Sequence, residues 1–547
     1  MALPGLDVGA VGRRYGAWHR DRRADRSRHV AYRTVDRIRD GTRAAIVRSL
    51  RRAALVAAIA LVSSAHIGSP DVWFDGLAGP YKVLVHVEAP PVVPGIAIIN
   101  IRVAEPGVAR VTAFVNHYDA TGGTPPPDVA SPIPASPSWY RTRLWVMSAG
   151  SNSVTVSVSG ARGEGTVVVP LVALPGRRLQ FNGALAGVLS IAALVLALGL
   201  FTIVGATVRE GVLPPGVEPD AQRRRRARFA MARAVVILAI VIVGGGAWWR
   251  AEDADFTRGL FRPLAVRVAV DTTAAQRRFQ LAITDSVWVH RNDVAWLRAR
   301  RATSATPLME DHGKLMHLFL IATDGRSAFA HLHPSTADTV TFTSVLPDLP
   351  AGTYRVFADI VHQSGLTETL TSTVTLAGER HSATRDTTTD ADDTWAIGQK
   401  GDSMRSVLAD GTVLTWNRNP TPLVAGEEAG LRFAATPPAG DTASLEPFLG
   451  MAGHVVVVRD DGKVFIHLHP LGTISLAAQT RLTGNAPGVM AHPMNTALDP
   501  ADSLYFPYAF PQPGKYTVWV QVKRHGRVLT GSFPAFVRPS SASDSTR

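Results

Sequence analysis

The chain has 547 residues, with 57 Lys and Arg against 44 Asp and Glu, 46% apolar residues and no Cys. This length predicts three or four domains of roughly 100–200 residues each. The absence of Cys excludes disulfide scaffolds, thiolate zinc sites, iron–sulfur clusters and a Cys nucleophile.

The net charge of +13 is concentrated in two segments. Residues 1–52 contain 14 Arg and 5 Asp, a balance of +9, and residues 208–233 contain 7 Arg and 3 acidic residues, a balance of +4. Because both segments flank long apolar runs, the charge indicates membrane topology and not nucleic-acid binding. An RNA-binding arm at residues 1–52 is the alternative, which the interleaved Asp residues disfavour.

Three apolar stretches follow in chain order. Residues 53–67 are short for a span and predict a signal anchor or a cleaved signal peptide. Residues 184–208 carry no charge and residues 233–249 end in two Trp, so both are predicted transmembrane helices. The basic loop 209–232 between them is expected in the cytoplasm.

This topology places most of the chain on one side of the membrane. We expect a bacterial inner-membrane protein whose residues 68–180 and 250–538 lie in the periplasm. Residues 68–180 alternate Val with small polar residues near their end and are predicted to form an immunoglobulin-like β-sandwich. The tail 539–547 is predicted to be disordered.

Residues 250–377 and 402–538 are predicted to be two copies of one β domain, joined by a linker over 378–401. Each copy carries the pattern Phe-x-His-Leu-His-Pro, and another His precedes it at the start of an apolar run. The first copy has His317, His331 and His333. The second copy has His454, His467 and His469.

The turns between the apolar runs predict which histidines face each other. A three-residue loop Asp324-Gly325-Arg326 places His317 opposite His333, and a two-residue loop Asp461-Gly462 places His454 opposite His469. Residues two apart share a strand face, and neighbouring strands are about 4.8 Å apart. Three imidazoles in each copy are therefore predicted to reach one metal ion, which gives one site per copy.

Several Met residues lie near these motifs. Met451 precedes His454, and Met490, His492 and Met494 follow the second motif. Thioether together with imidazole favours copper, particularly Cu(I), whereas imidazole alone suits Zn(II) or Ni(II) as well. Copper is therefore the predicted metal, with zinc the less favoured alternative. The opposing interpretation is that the histidines are hydrogen-bonded structural residues, that Met fills the core, and that the repeat preserves only packing.

Two resemblances accompany these patterns. Residues 80–172, with Tyr81-Lys-Val-Leu-Val and Leu144-Trp-Val-Met-Ser-Ala-Gly, resemble the YtkA-like/FixH-like periplasmic β-sandwich family. The Phe-x-His-Leu-His-Pro copies resemble domains of bacterial membrane proteins that handle copper and heavy metals. These resemblances imply immunoglobulin-like or copper-carrier-like sandwiches and a metal-related role.

The sequence shows no His-Glu-x-x-His, no Gly-x-Ser-x-Gly and no phosphate-binding Gly-rich loop, so no catalytic residue is predicted. The function predicted is that of a membrane-anchored, non-enzymatic metal-binding protein for delivery, assembly or tolerance, with envelope proteins or copper enzymes as partners and no nucleic acid. One alternative is an interaction protein whose sandwiches dock other envelope proteins. A second is an accessory subunit of a copper oxidoreductase.

Overall fold

A computed structural model describes most of the chain after residue 70. The described residues are 71–121, 123–134, 136–176, 182–214, 216–258, 260–271, 276–300, 305–323, 328–377, 390–398, 401–418, 421–484 and 503–540. The predicted basic segment, the signal stretch and the end of the tail lie outside them. The described part is mainly β, as predicted, with several sheets and two long apolar helices.

The first domain consists of two sheets that share one apolar core. Val83, Val85 and Val87 alternate along one strand and meet Val154, Val156 and Val158 from the other sheet. The sheets are ordered β1-β2-β3-β7-β6 and β5-β4-β8-β9. Their strands are β1 (Asp71–Ala78), β2 (Tyr81–Glu88), β3 (Gly95–Val103), β4 (Val108–His117), β5 (Asp128–Val129), β6 (Ser131–Ile133), β7 (Ser136–Val146), β8 (Gly150–Gly160) and β9 (Gly163–Ala173).

Two helices, α1 (Gly183–Glu210) and α2 (Ala221–Arg258), follow this domain. Both are long and apolar enough to cross a membrane, and they contain the predicted spans 184–208 and 233–249. The side chain of Asn182 caps α1 by accepting the N–H groups of Ala184 and Leu185. Residues 221–232 of the predicted loop are helical and extend α2, so the connection between the helices is shorter than predicted.

The first repeat also has two sheets, ordered β10-β11-β16-β15 and β12-β17-β13-β14-β19, with β18 paired to β17. Strand β17 pairs along one edge with β12 and then β13, so the residues between β12 and β13 form a loop that leaves the sheet. The elements are β10 (Val266–Asp271), β11 (Arg278–Ile283), α3 (Ser286–Val289), α4 (Val294–Arg300), β12 (Leu308–Met309), β13 (His317–Ala322), β14 (Ala328–Leu332), β15 (Ser335–Thr336), β16 (Thr341–Val345), β17 (Gly352–His362), β18 (Thr367–Leu376) and β19 (Thr394–Ile397).

The second repeat has the same central hairpins in sheets ordered β20-β21-β23-β26 and β22-β28-β27-β24-β25. Strands β24, β25, β27 and β28 correspond to β13, β14, β17 and β18. The elements are β20 (Arg405–Val407), β21 (Val413–Trp416), β22 (Leu423–Val424), β23 (Leu431–Thr436), β24 (His454–Arg459), β25 (Phe465–Leu468), α5 (Leu476–Thr483), β26 (Ser503–Phe506), β27 (Gly514–Arg524) and β28 (Arg527–Arg538).

The predicted linker 378–401 is in part a structural element. Residues 394–397 form β19, which pairs antiparallel with β14 from Ala328↔Ile397 to His331↔Thr394. Polar composition hid this strand, because only four residues pair and the Asp and Thr residues before them dominate the segment. The segment therefore belongs to the first repeat and brings carboxylates to the end of β14.

The two repeats pack against each other through their central sheets. Phe329 stacks on Trp519 with ring centroids 4.8 Å apart, and Phe465 stacks on Phe357 at 4.2 Å. Phe329 corresponds to Phe465, and Phe357 corresponds to Trp519, so the two stacks are related by an approximate twofold axis. These rings belong to one buried apolar cluster drawn from both repeats.

Candidate metal centre

The predicted strand register is confirmed in both hairpins. Leu318 pairs with Leu332 in the first repeat, and Val455 pairs with Leu468 in the second. One step further along each ladder, His317 is opposite His333 and His454 is opposite His469. The first turn itself, residues 324–327, lies outside the described residues.

Strand alternation directs these histidines to the face between the repeats. In β13, Leu318 and Leu320 enter the core of their own domain, whereas Phe319 enters the cluster shared by both repeats. His331 lies on that shared face, where it stacks on Phe319 with ring centroids 4.2 Å apart. The aromatic residues thus occupy one end of the inter-repeat face, and the histidines occupy the other.

The structure replaces the predicted pair of separate sites with one cluster. Rings from different repeats are neighbours, with His467 5.3 Å from His317 and 5.4 Å from His331 between centroids. Separate sites were expected because the sequence gives the face of each sheet but not what covers it. All six predicted histidines are buried in this cluster, and His312 is a seventh member.

The first group of three consists of His317, His331 and His333, as predicted. One ligand atom from each lies within 4.8 Å of the others. The closest pair is His317 Nδ1 and His331 Nε2, 3.1 Å apart. Two nitrogens that each lie about 2.0–2.1 Å from one ion can be separated by this distance.

The outer nitrogens of this group face oxygen acceptors. His317 Nε2 lies 3.2 Å from the carbonyl oxygen of Asp311, and His331 Nδ1 lies 3.1 Å from Gln521 Oε1. His333 Nδ1 lies 3.1 Å from Asp393 Oδ1, which also accepts the His333 backbone N–H at 2.8 Å. These acceptors favour a proton on each outer nitrogen, which would leave the inner nitrogens of the group to bind a metal ion.

The second group of three differs from the prediction. His454 and His469 group with His312, again with ligand atoms within 4.8 Å, and not with His467. His469 Nδ1 donates a hydrogen bond to the carbonyl oxygen of Ile474 at 2.9 Å. Nε2 is therefore the nitrogen of His469 that is available to bind a metal ion. His312 comes from the first repeat, so this group crosses the interface.

His467 is held at the side of the second group by the first repeat. Its Nδ1 lies 3.6 Å from Asp359 Oδ2. Asp359 and Gln521 occupy equivalent positions, opposite His317 and His454 respectively. His331 reaches Gln521 across the interface just as His467 reaches Asp359, so each repeat positions a histidine of the other.

Many ring nitrogens in this cluster are buried without a hydrogen bond to any described residue. Five of the seven histidines have at least one such ring nitrogen: His312, His333, His454, His467 and His469. An unpaired buried polar atom costs about 1–3 kcal/mol. Coordination of a cation would offset that cost, so the orphaned nitrogens fit a metal site.

Burial also keeps the imidazoles neutral. It is the main cause that lowers the pKa of His317, His331, His454 and His467 well below the ordinary value, and neighbouring histidines lower it further. Burial is the main cause that lowers the pKa of His469 to about 4, and the neighbouring His312 lowers it further. Neutral imidazole is the form that binds metal ions.

A small cavity adjoins the cluster. Its volume is about 30 Å³, enough for one or two water molecules. Its polar lining comes from Asp311, Lys314, His317, Asp359, Thr367, His467, His469, Thr473 and Ser475. A water or another small ligand therefore has room beside the ring nitrogens.

Asp393 is a site residue that the sequence did not predict, because it lies in the predicted linker. A carboxylate behind an imidazole orients the ring and strengthens it as a ligand. Asp390 and Asp393 also form a mixed group with His333. Asp390 already pairs with Lys314 Nζ at 2.5 Å, which neutralises its charge.

His312 was also missed, although the sequence contains a signal for it. The similarity between the repeats extends to residues before His317 and His454, since Gly313 lies four residues before His317 and Gly450 lies four residues before His454. This alignment pairs His312 with Leu449. The histidine itself is unique to the first copy, so a search for residues common to both repeats could not find it.

The predicted Met ligands gain no support. Met451 is buried in the turn where it pairs with Phe448, at the position that Lys314 holds in the first repeat. Among the described residues, its sulfur makes no hydrogen bond to a ring nitrogen of the cluster. Met490, His492 and Met494 lie outside the described residues.

Comparisons with known proteins bear on the same region. The model of a domain of unknown function (DUF8832) matches residues 275–378 and 406–538, which are the two repeats. No curated protein matches the chain. No enzyme family is among the matches.

Two solved structures resemble parts of the chain. An engineered protein shares 19% identity over 17% of this chain and 21% of its own, with a TM-score of 0.14. Dimeric latent PorU from Porphyromonas gingivalis shares 9% identity over 82% of this chain and 32% of its own, also with a TM-score of 0.14. The chain spans about a fifth and a third of their respective lengths, and such scores carry no argument about function.

Proposed function

We propose that this chain is a membrane-anchored metal-binding protein of the bacterial envelope, and that copper is its metal. Its roles would be delivery, assembly or tolerance. The observation that carries the proposal is the group His317, His331 and His333, whose outer nitrogens face oxygen acceptors while the inner nitrogens converge. His317 Nδ1 and His331 Nε2 lie 3.1 Å apart, which is also hydrogen-bond distance, whereas His333 Nε2 is buried with no hydrogen-bond partner among the described residues and is available to a metal ion.

The ligand chemistry supports copper without the Met residues. The two groups offer neutral imidazole nitrogens, which suit Cu(II), Zn(II) and Ni(II). Among these ions, Cu(II) binds nitrogen sites most tightly in the general order of divalent metals. Zn(II) is the alternative occupant, and the loading experiment below distinguishes the two.

The proposed topology rests on the helices and the charges. Helices α1 and α2 are apolar enough to span a membrane, and four consecutive Arg at 223–226 begin the second. Positive charge between two spans favours the cytoplasm, which would put both the first domain and the repeats in the periplasm. We further propose that the first domain is an immunoglobulin-like sandwich of the YtkA-like/FixH-like kind and that the repeats are copper-carrier-like.

Elemental analysis of the full chain tests this proposal. The detergent-solubilised protein is loaded with Cu(II), Cu(I) or Zn(II), desalted, and measured beside the His331→Ala and His333→Ala variants. We expect bound copper in the wild type and a loss of about one equivalent in each variant. His290→Ala is the matched control, since His290 stacks on Trp296 away from the cluster.

Retention of the full wild-type amount of copper by both His variants would contradict the proposal, as would absence of retained metal in a folded wild type. Either result would favour the alternative in which the β domains dock other envelope proteins. Circular dichroism and thermal melts of each variant separate loss of ligand from loss of fold.

A further inference from the structure

We infer that the cluster holds a second metal ion, bound by His312, His454 and His469 and shared between the two repeats. This inference rests on the proposed function, which concerns the first group. The second ion would belong to the same borderline class, Cu(II) or Zn(II), because the group supplies three imidazoles and no thiolate.

The geometry of the second group supports coordination. The His312 ring lies 5.0 Å from His469 and 5.6 Å from His454 between centroids, and ligand atoms of all three lie within 4.8 Å. Both nitrogens of His312, both of His454 and Nε2 of His469 are buried without a hydrogen bond. A metal ion placed between the three rings would coordinate nitrogens that have no hydrogen-bond partner among the described residues.

A left-handed backbone brings His312 to this position. His312 has a φ of 55°, and the following Gly313 has a φ of 76°. Leu449 and Gly450 adopt φ values of 50° and 76° in the second repeat. The same turn therefore exists in both repeats, and only in the first repeat does it carry a histidine.

This difference explains why the two groups are not equivalent. In the first group, the third ligand is His331 from the same repeat. In the second group, the third ligand is His312 from the other repeat. Leu449, which occupies the equivalent position in the second repeat, has no metal-binding atom, and His467 is held near Asp359. The first group is thus internal to one repeat, whereas the second joins both.

Neighbouring groups fix the second site less firmly than the first. His312 Nε2 lies 3.7 Å from Asp311 Oδ1, which accepts the backbone N–H of Ala477 at 2.9 Å. Neither ring nitrogen of His454 has a hydrogen-bond partner in the part of the chain that the structure describes. Since outer partners contribute about 10–100-fold in metal affinity, we expect the shared site to bind more weakly than the first group.

Metal stoichiometry of the full chain in detergent tests the inference. The key variant is His312→Leu, because Leu449 shows that Leu is accepted in this backbone conformation. His312→Asn is the second variant, since Asn tolerates positive φ. Copper is titrated into metal-free protein, and bound copper per chain is measured after desalting and by competition with a chromogenic chelator.

We expect two equivalents in the wild type, one in His312→Leu, one in His333→Ala, and none in the double variant. Two equivalents in folded His312→Leu and His312→Asn would overturn the shared site and leave the proposed function intact. A single equivalent in the wild type that is lost in His333→Ala but not in His312→Leu would also overturn the shared site and leave the proposed function intact. No copper in the wild type would instead overturn the proposed function together with this inference.

Discussion

At the residue scale, the oxygen acceptors behind the imidazoles decide what the cluster can do. Asp393 illustrates this, because one of its oxygens accepts both the backbone N–H and the ring N–H of His333. The carboxylate fixes the ring orientation and makes Nε2 a stronger donor to a metal. The six histidines of the motifs were predictable from spacing, whereas this acceptor was not, since it comes from a distant polar segment.

Asp393→Asn should weaken metal binding without removing the site. Asn retains an oxygen that accepts both N–H groups but lacks the negative charge. We expect the affinity of the first group for copper to fall about 10–100-fold at unchanged saturating stoichiometry. Competition with a chromogenic chelator measures this change, with Asp348→Asn as the control on a carboxylate outside the cluster. An unchanged affinity would contradict the role given to Asp393.

The buried imidazoles should make the metal-free protein sensitive to acid. Burial lowers the pKa of five histidines, including His469 to about 4. Below pH 6.5 the unfolded chain takes up protons that the folded chain does not, so stability falls as the pH falls. At pH 5 His469 alone should cost about 2 kcal/mol relative to pH 6.5.

One group opposes this trend. Burial raises the pKa of Asp359 to about 7, so the stability from its protonated form grows as the pH falls from 7 towards the ordinary Asp pKa of 3.8. Because this single carboxyl opposes five buried histidines, the histidines dominate between pH 6.5 and 5. Thermal melts of chelator-treated protein across this range should show a falling midpoint, and a flat or rising midpoint would contradict the buried neutral cluster.

At the scale of elements, the hairpins were predictable and the segments around them were not. Turn chemistry and alternation predicted the register of β13 with β14 and of β24 with β25. Strand β19 was not predicted because its four residues follow a run of Asp and Thr. The role of the loop that carries His312 was not predicted because the second repeat has no histidine at the equivalent position.

The segment Leu471–Ile474 links the first domain to the cluster. Its Thr473 N–H donates to the carbonyl oxygen of Trp73 at 3.0 Å, and Ile474 enters the core of the first domain. The carbonyl oxygen of Ile474 in turn accepts from His469. The first domain therefore helps to position His469, a ligand of the proposed shared site.

Gly472→Ala should disturb this link. Gly472 has a φ of 118°, and a Cβ there would lie 1.9 Å from the carbonyl oxygen of Trp73. Gly526→Ala is the matched control, because Gly526 also has positive φ but no atom within 4 Å of its Cβ. We expect a larger drop in melting temperature for Gly472→Ala and weaker binding of the second copper ion. Equal effects of the two variants on stability and copper binding would contradict the link.

At the scale of the whole molecule, the packing of one repeat on the other creates the histidine cluster. The sequence predicted each apolar and histidine-bearing face correctly, but it contained no evidence that the two faces cover each other. The symmetric stacks of Phe329 on Trp519 and of Phe465 on Phe357 hold this interface beside the histidines.

Trp519→Ala should weaken the interface and the shared site together. Trp519 is only 3% exposed, and removing a buried aromatic side chain typically costs about 3–5 kcal/mol. Trp145→Ala is the control, since Trp145 is 62% exposed. Chemical denaturation and copper titration should show lower stability and weaker second-ion binding for Trp519→Ala alone. Comparable behaviour of the two variants would contradict this arrangement.

X-ray absorption at the copper edge of the loaded full chain tests the metal centre most directly. We expect nitrogen ligands at about 2.0 Å with the outer-shell scattering of several imidazoles, and a reduced imidazole signal per chain in His331→Ala and His312→Leu. Copper bound to oxygen ligands alone, or with a signal that neither variant alters, would contradict it.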